Sequence, residues 1–120
     1  MAIDEFTEAA AEEKLDHFCE NRIPPHAKEQ VRMSWSFWRN SIILYEERKA
    51  YMDRSRWIKM KVARMDFDAE TKGWTLWAYD RNSKPLYYPN LHPDVSVRST
   101  ASLDEVIAEI DNDPTCIFFG

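Results

Sequence analysis

Glycine is nearly missing from this chain: only Gly73 and Gly120 occur in 120 residues. A glycine-rich phosphate loop needs several positions where the backbone closely approaches phosphate, so both familiar kinds are excluded. Cysteine is as scarce. Cys19 and Cys116 stand far apart with no CxxC spacing, which points to two free thiols in a reducing compartment. His17, His26 and His92 have no His or Cys neighbour at i+3 or i+4. The close paired spacings of a structural zinc site are therefore missing, and no metal or cofactor is expected. No serine sits in a GxSxG elbow. No apolar run reaches membrane-spanning length and no basic-then-apolar leader opens the chain, so the expectation is a soluble, cytoplasmic protein without a membrane partner.

What remains is rich in aromatics and charge. Hydrophobic residues make up 44% and aromatics 13%, a globular balance that suits one domain over residues 1–120. The net charge of −5 hides a division. Residues 1–20 carry seven acids and one Lys, net −6; residues 21–100 carry fifteen Lys/Arg and nine acids, net +6; residues 101–120 carry five acids and no base, net −5. All five Trp and all five Tyr fall within residues 31–88. The basic and the aromatic parts of the chain are thus the same part.

Residues 4–21 predict a helix, with Ala11, Leu15, Phe18 and Arg22 at helical spacing and Glu8, Glu12, Glu13, Asp16 and Glu20 on the other side. Pro24 and Pro25 stop it, and Pro25 can open a short helical turn. Val31, Met33, Trp35 and Phe37 then alternate with Arg32, Ser34, Ser36 and Trp38, a half-buried strand. Arg39-Asn40 reads as a tight turn in which Asn40 takes the left-handed backbone. Further strands are expected over residues 41–48, 57–67, 74–80 and 86–88, the last at an edge because Pro85 and Pro89 flank it. The alternation stumbles at Ala63-Arg64, where a β-bulge is expected, and Gly73 is expected to supply positive φ in the next turn. Residues 90–101 look irregular. Ser102-Leu103-Asp104-Glu105 is a capping box, with Glu105 reaching back, for a helix whose apolar stripe is Leu103, Val106, Ile107 and Ile110. Cys116 to Phe119 is a final apolar run, expected as a strand or a docked segment.

The fold class that follows is α+β: an antiparallel β-meander of four to five strands with N- and C-terminal helices on one face. Four stretches carry a family resemblance. They are Phe18-Cys19-Glu20-Asn21-Arg22-Ile23-Pro24-Pro25-His26, Tyr45-Glu46-Glu47-Arg48, Trp74-Thr75-Leu76-Trp77, and the tail from Ser102 through Asp111-Asn112-Asp113-Pro114 to Phe118-Phe119-Gly120. In this order and spacing the chain resembles a small bacterial family of unknown function with a helix–Pro-Pro–meander–helix–Phe-Phe-Gly layout. The resemblance implies the architecture and no activity or cofactor. Where similar sequences carry a Trp-His pair after the fourth strand, this chain has Pro85-Leu86.

Two candidate sites emerge. Alternation puts Glu46 on the apolar side of the second strand, followed there by Arg48, with Arg64 able to approach from the third strand. A carboxylate so placed must be paired or have its pKa raised. A structural Glu46–Arg48–Arg64 ion pair is the favoured reading over a general acid or base. The second candidate is the opposite sheet face, which gathers Arg32, Trp38, Tyr45, Trp57, Lys59, Lys61, Trp77, Tyr79 and Arg81. Aromatics interleaved with Lys and Arg fit a protein partner or homodimer, fit single-stranded nucleic acid, and also fit a plain solvated sheet stabilised by cross-strand contacts. The leading expectation is a non-catalytic binding or protein-interaction module. Single-stranded nucleic-acid binding is the alternative, and an enzyme using Glu46 the weaker one.

Overall fold

The computed structural model describes residues 3–91 and 101–119. Helix α1 (Glu5–Arg22) starts at Asp4, whose Oδ1 accepts from the Thr7 amide at 2.8 Å. Pro24 follows its last turn and leads into a 3-10 turn at Pro25–Ala27. Five strands come next: β1 (Val31–Trp38), β2 (Ser41–Lys49), β3 (Trp57–Asp68), β4 (Gly73–Tyr79) and β5 (Pro85–Tyr87). They form one antiparallel meander in the order β1-β2-β3-β4-β5. Short α2 (Tyr88–Leu91) and then α3 (Leu103–Asn112) complete the described chain. The expected irregular stretch lies, from 92 to 100, outside the described residues, as do His92 and Gly120.

The helices share one side of the sheet. Leu15 and Phe18 of α1 and Val106 and Ile110 of α3 join Met33, Leu44, Met65, Leu76 and Tyr88 in one buried cluster. Each fully buried side chain of this kind contributes roughly 1.5–3 kcal/mol relative to exposure. Polar links fix the layers. Trp35 Nε1 donates to Asp16 Oδ1 at 2.8 Å, and Lys14–Asp104 at 2.9 Å and Arg22–Asp111 at 3.2 Å join α1 to α3. The ion pairs thus join helix to helix, and α1 meets the sheet through the neutral indole of Trp35.

One irregularity decides which residues face which way. Leu44 pairs with Ala63 and Tyr45 with Lys61, so Val62 is an extra residue opposite neither. A bulge of one residue reverses the parity of everything after it. Ala63, Met65 and Phe67 consequently point to the helices, and Arg64 and Asp66 to the other side. The bulge lies one residue before the expected position.

Other local details differ from expectation. The left-handed backbone of the first turn falls on Arg39 (φ 58°) rather than on Asn40. Asn40 instead holds β3, accepting from the Phe67 amide at 2.9 Å and donating through its side chain to the Phe67 carbonyl at 3.2 Å. In the β3–β4 turn Lys72 takes positive φ (59°), and Gly73 already opens β4 opposite Asp68. Tyr88 leaves the edge strand and begins α2, where it is wholly buried. The tail docks as a bend: Asp113, left-handed at φ 44°, accepts from the Phe118 and Phe119 amides at 3.1 and 2.9 Å, and Phe118 packs on Tyr88.

Candidate functional site

The sheet side turned away from the helices is the candidate site. In an antiparallel meander, residues directly opposite share a face, so the register writes out its rows. Arg32, Glu47 and Lys59 form one row; Ser34, Tyr45 and Lys61 the next; Ser36, Ile43, Arg64, Trp77 and Tyr87 a third. Rows two residues apart lie within reach of long side chains, which brings cations over rings.

Five rings on this side each carry a cation. Arg32 lies 3.9 Å and Lys49 5.6 Å from the Trp57 ring centre, Lys59 4.6 Å from Tyr45, Lys61 5.5 Å from Tyr79, Arg64 4.8 Å from Trp77 and Arg39 4.9 Å from Trp38. About one energetically significant contact of this kind per 70–80 residues is ordinary. Six among the described residues of one sheet face make an ordered array: a flat aromatic layer with positive charge held against it. Trp77 also meets Tyr87 at 5.4 Å, and the Ser36 hydroxyl donates to Tyr45 Oη at 3.3 Å.

The array has buried members although no described helix covers it. Ile43 and Tyr79 are buried yet belong to no part of the helix-side cluster. Burial raises the Tyr79 pKa; Arg64 opposes the rise, and Tyr45 and Asp66 add to it. Glu47 is the one deeply placed acid of the first row, paired with Arg32 at 3.2 Å. Burial pushes its carboxyl up, but bonding from Ser34 and Arg32 and the charges of Arg32 and Lys59 outweigh this and hold it below its ordinary value. Between Trp38, Tyr45, Lys61, Arg64 and Tyr79 runs a shallow groove of about 380 Å³. Trp38, 51% exposed, lines it.

Of the sequence-derived candidates, Arg32, Trp38, Tyr45, Trp57, Lys59, Lys61, Trp77 and Tyr79 are brought together here. Arg81 stands apart, exposed in the turn between β4 and β5. Glu46 is buried on the helix side and receives Arg48 Nε at 2.5 Å, in a small hollow with Pro24, Val31 and Phe119. Arg64 does not join them. The Val62 bulge carries it to the open face, where it pairs with Asp66 at 3.0 Å. Arg64, Lys49 and Arg39 are the members of the array that sequence reasoning left out. The stumble in alternation near Ala63 was the available signal for Arg64.

Among the described residues no group of three or more His, Cys, Asp and Glu side chains could hold a metal ion, and no helix is long and apolar enough to cross a membrane. The helix side offers a larger groove of about 590 Å³ between α1 and β1, lined by charges of both signs.

An open five-stranded antiparallel meander with N- and C-terminal helices on one side defines a two-layer α+β domain. Residues 3–120 match the model of the domain of unknown function DUF3024, and the chain belongs to that family. No curated protein and no solved structure matches it.

Proposed function

We propose that this protein is a non-catalytic interaction module that takes an anionic protein surface on its open sheet face. The observation that carries this reading is the array of cations seated on Trp38, Tyr45, Trp57, Trp77 and Tyr79. Trp, Tyr and Arg are the residues enriched at protein interfaces. A cation already held on a ring has lost much of its freedom before a partner arrives, so less entropy is lost on binding. The rings already carry the protein's own cations, which favours an acidic partner over a stacking one. Two free thiols support a reducing, cytoplasmic setting.

Amide chemical shifts followed during addition of poly-glutamate at low salt test the proposal. Shifts centred on Arg32, Lys59, Lys61 and Arg64 are expected, and a response confined to other residues would sink it. Single-stranded nucleic acid is the second reading, favoured by half-exposed Trp38 in the groove. An oligothymidine that binds more tightly than poly-glutamate, with affinity falling steeply as salt rises, would transfer the preference to it. Glu46, closed by Arg48, gives catalysis the least support of the three.

A further inference from the structure

The meander has a notch. β4 pairs with β3 only over residues 63–68, whereas β2 pairs with β3 down to Trp57. Among the described residues, positions 57–61 therefore have β2 on one side and no strand on the other. This free edge is about 17 Å long at 3.4 Å per residue. It has two unlike faces. Ile58 and Met60 lie on the helix side, beyond the reach of α1 and α3, and are 45% and 48% exposed. Trp57, Lys59 and Lys61 lie on the open face.

An unpaired row of backbone N–H and C=O groups is a template for another strand. The alternation decides what that strand carries. On one side its residues would cover Ile58 and Met60, which calls for apolar side chains. On the other they would stand beside Lys59 and Lys61, which calls for carboxylates, since opposite charges across a strand pair stabilise and like charges destabilise. A second copy of the same edge does not fit. Antiparallel self-pairing with matched faces, centred on Lys59 or on Met60, sets lysine against lysine. The outer edge of β1 selects nothing comparable, because Asp16, Glu20, Lys28 and Arg32 beside it mix both signs.

We propose that residues 57–61 of β3 form a strand-addition site for an extended acidic segment of a protein partner, in which carboxylates alternate with apolar side chains. This rests on the reading of the open face as anion-binding, with which it shares Lys59 and Lys61, but it places the partner's backbone at the edge and not on the face.

The test uses the full chain, amide hydrogen exchange by NMR, and a short capped peptide alternating Glu and Val. Controls are a scrambled peptide of the same composition with its acids clustered, and a Lys–Val counterpart. The alternating acidic peptide is expected to slow exchange at outward-facing amides within residues 57–61. The variant K59E/K61E should bind it about tenfold more weakly or worse and take up the Lys–Val peptide instead. The variant's unchanged shift pattern in β4 and α3 would show that it still folds. If the acidic and scrambled peptides bind equally, shifting face residues without protecting residues 57–61, the edge site is overturned while the anionic face stands. Absence of binding by either at low salt overturns both. Equal protection of these amides by an oligothymidine, or concentration-dependent protection by the protein alone, also overturns the strand-addition site.

Discussion

Single side chains in this protein take their chemistry from the layer they occupy. Cys19 and Cys116 are both free thiols, yet they differ in environment. Burial first, and the charge of Asp16 second, push the Cys19 thiol up to about 12. The thiolate is the reactive species, so Cys19 is essentially unreactive at neutral pH. Cys116 is exposed. Brief alkylation of the native protein should label Cys116 and spare Cys19, and urea should make both react. Peptide mass mapping reads the result, and equal native labelling would contradict the burial of Cys19. The acids around Cys19 were legible in the sequence as a cause of this shift. Its burial, the larger cause, was not, because it depends on where α1 settles against β1. The same holds for Ile43 and Tyr79. Alternation put Tyr79 on the open face, but only neighbouring side chains on other strands bury it there.

Elements were read from local pattern, and they succeeded where local pattern decides. β1 spans Val31–Trp38, the run its pattern marks out, and Ser102 caps α3 with its hydroxyl accepting from the Glu105 amide at 3.2 Å. Replacing Ser102 with Ala should destabilise the fold by about 1 kcal/mol, the usual loss for an N-cap. Urea unfolding checks this: the midpoint should fall with the m-value unchanged. A midpoint equal to that of the parent protein would mean that packing of Leu103, Val106 and Ile110 on β4 holds the helix start without its cap. Pattern failed where partners across the sheet decide. The short α2 has no periodic signature in four residues, and Tyr88 is pulled from the strand into the core by Phe118 and by its bond to Glu109 at 2.6 Å. Positive φ fell on Arg39 because Asn40 is needed to hold β3.

At the scale of the whole molecule, ionisation sets two limits on stability. Asp4 is held below its ordinary 3.8 by the Thr7 amide and hydroxyl, Asp53 by the Ser55 hydroxyl and amide, and Glu20 below 4.5 by Lys28. Glu47 lies on the same side despite its burial. Depressed carboxyls contribute stability above their unfolded pKa values and lose it as pH falls through the folded ones. The acid limb should therefore begin near pH 4.5 and steepen below it. The alkaline limb has the opposite origin. Burial, and then the bond to Glu109, push the Tyr88 hydroxyl up from 10.0 to about 12, and the raised Cys19 thiol, from 9.0, and Tyr79 act in the same direction. Between those values the unfolded chain has lost a proton that the folded chain keeps, so stability falls as pH rises. Stability against pH should form a broad plateau with two declining sides, measured as urea midpoints. Y88F should lessen the decline between pH 10 and 12, leaving the share of Cys19 and Tyr79, and an unaltered slope would remove Tyr88 as one of its sources.

The bulge at Val62 bears on how such a chain can vary. A substitution in β3 is judged at its own site. Loss of one residue is judged by where it falls in the ladder, much as a lost base is judged by the reading frame. Without Val62 the ladder would run unbroken: Lys61 would still face Tyr45 and Ala63 would still face Leu44, so Ala63, Met65 and Phe67 would keep the helix side and Arg64 and Asp66 the open one. The strand therefore holds one spare residue at its bulge, where its length can fall by one while every other pairing and facing is kept; away from the bulge, a single loss would turn the residues beyond it to the wrong side.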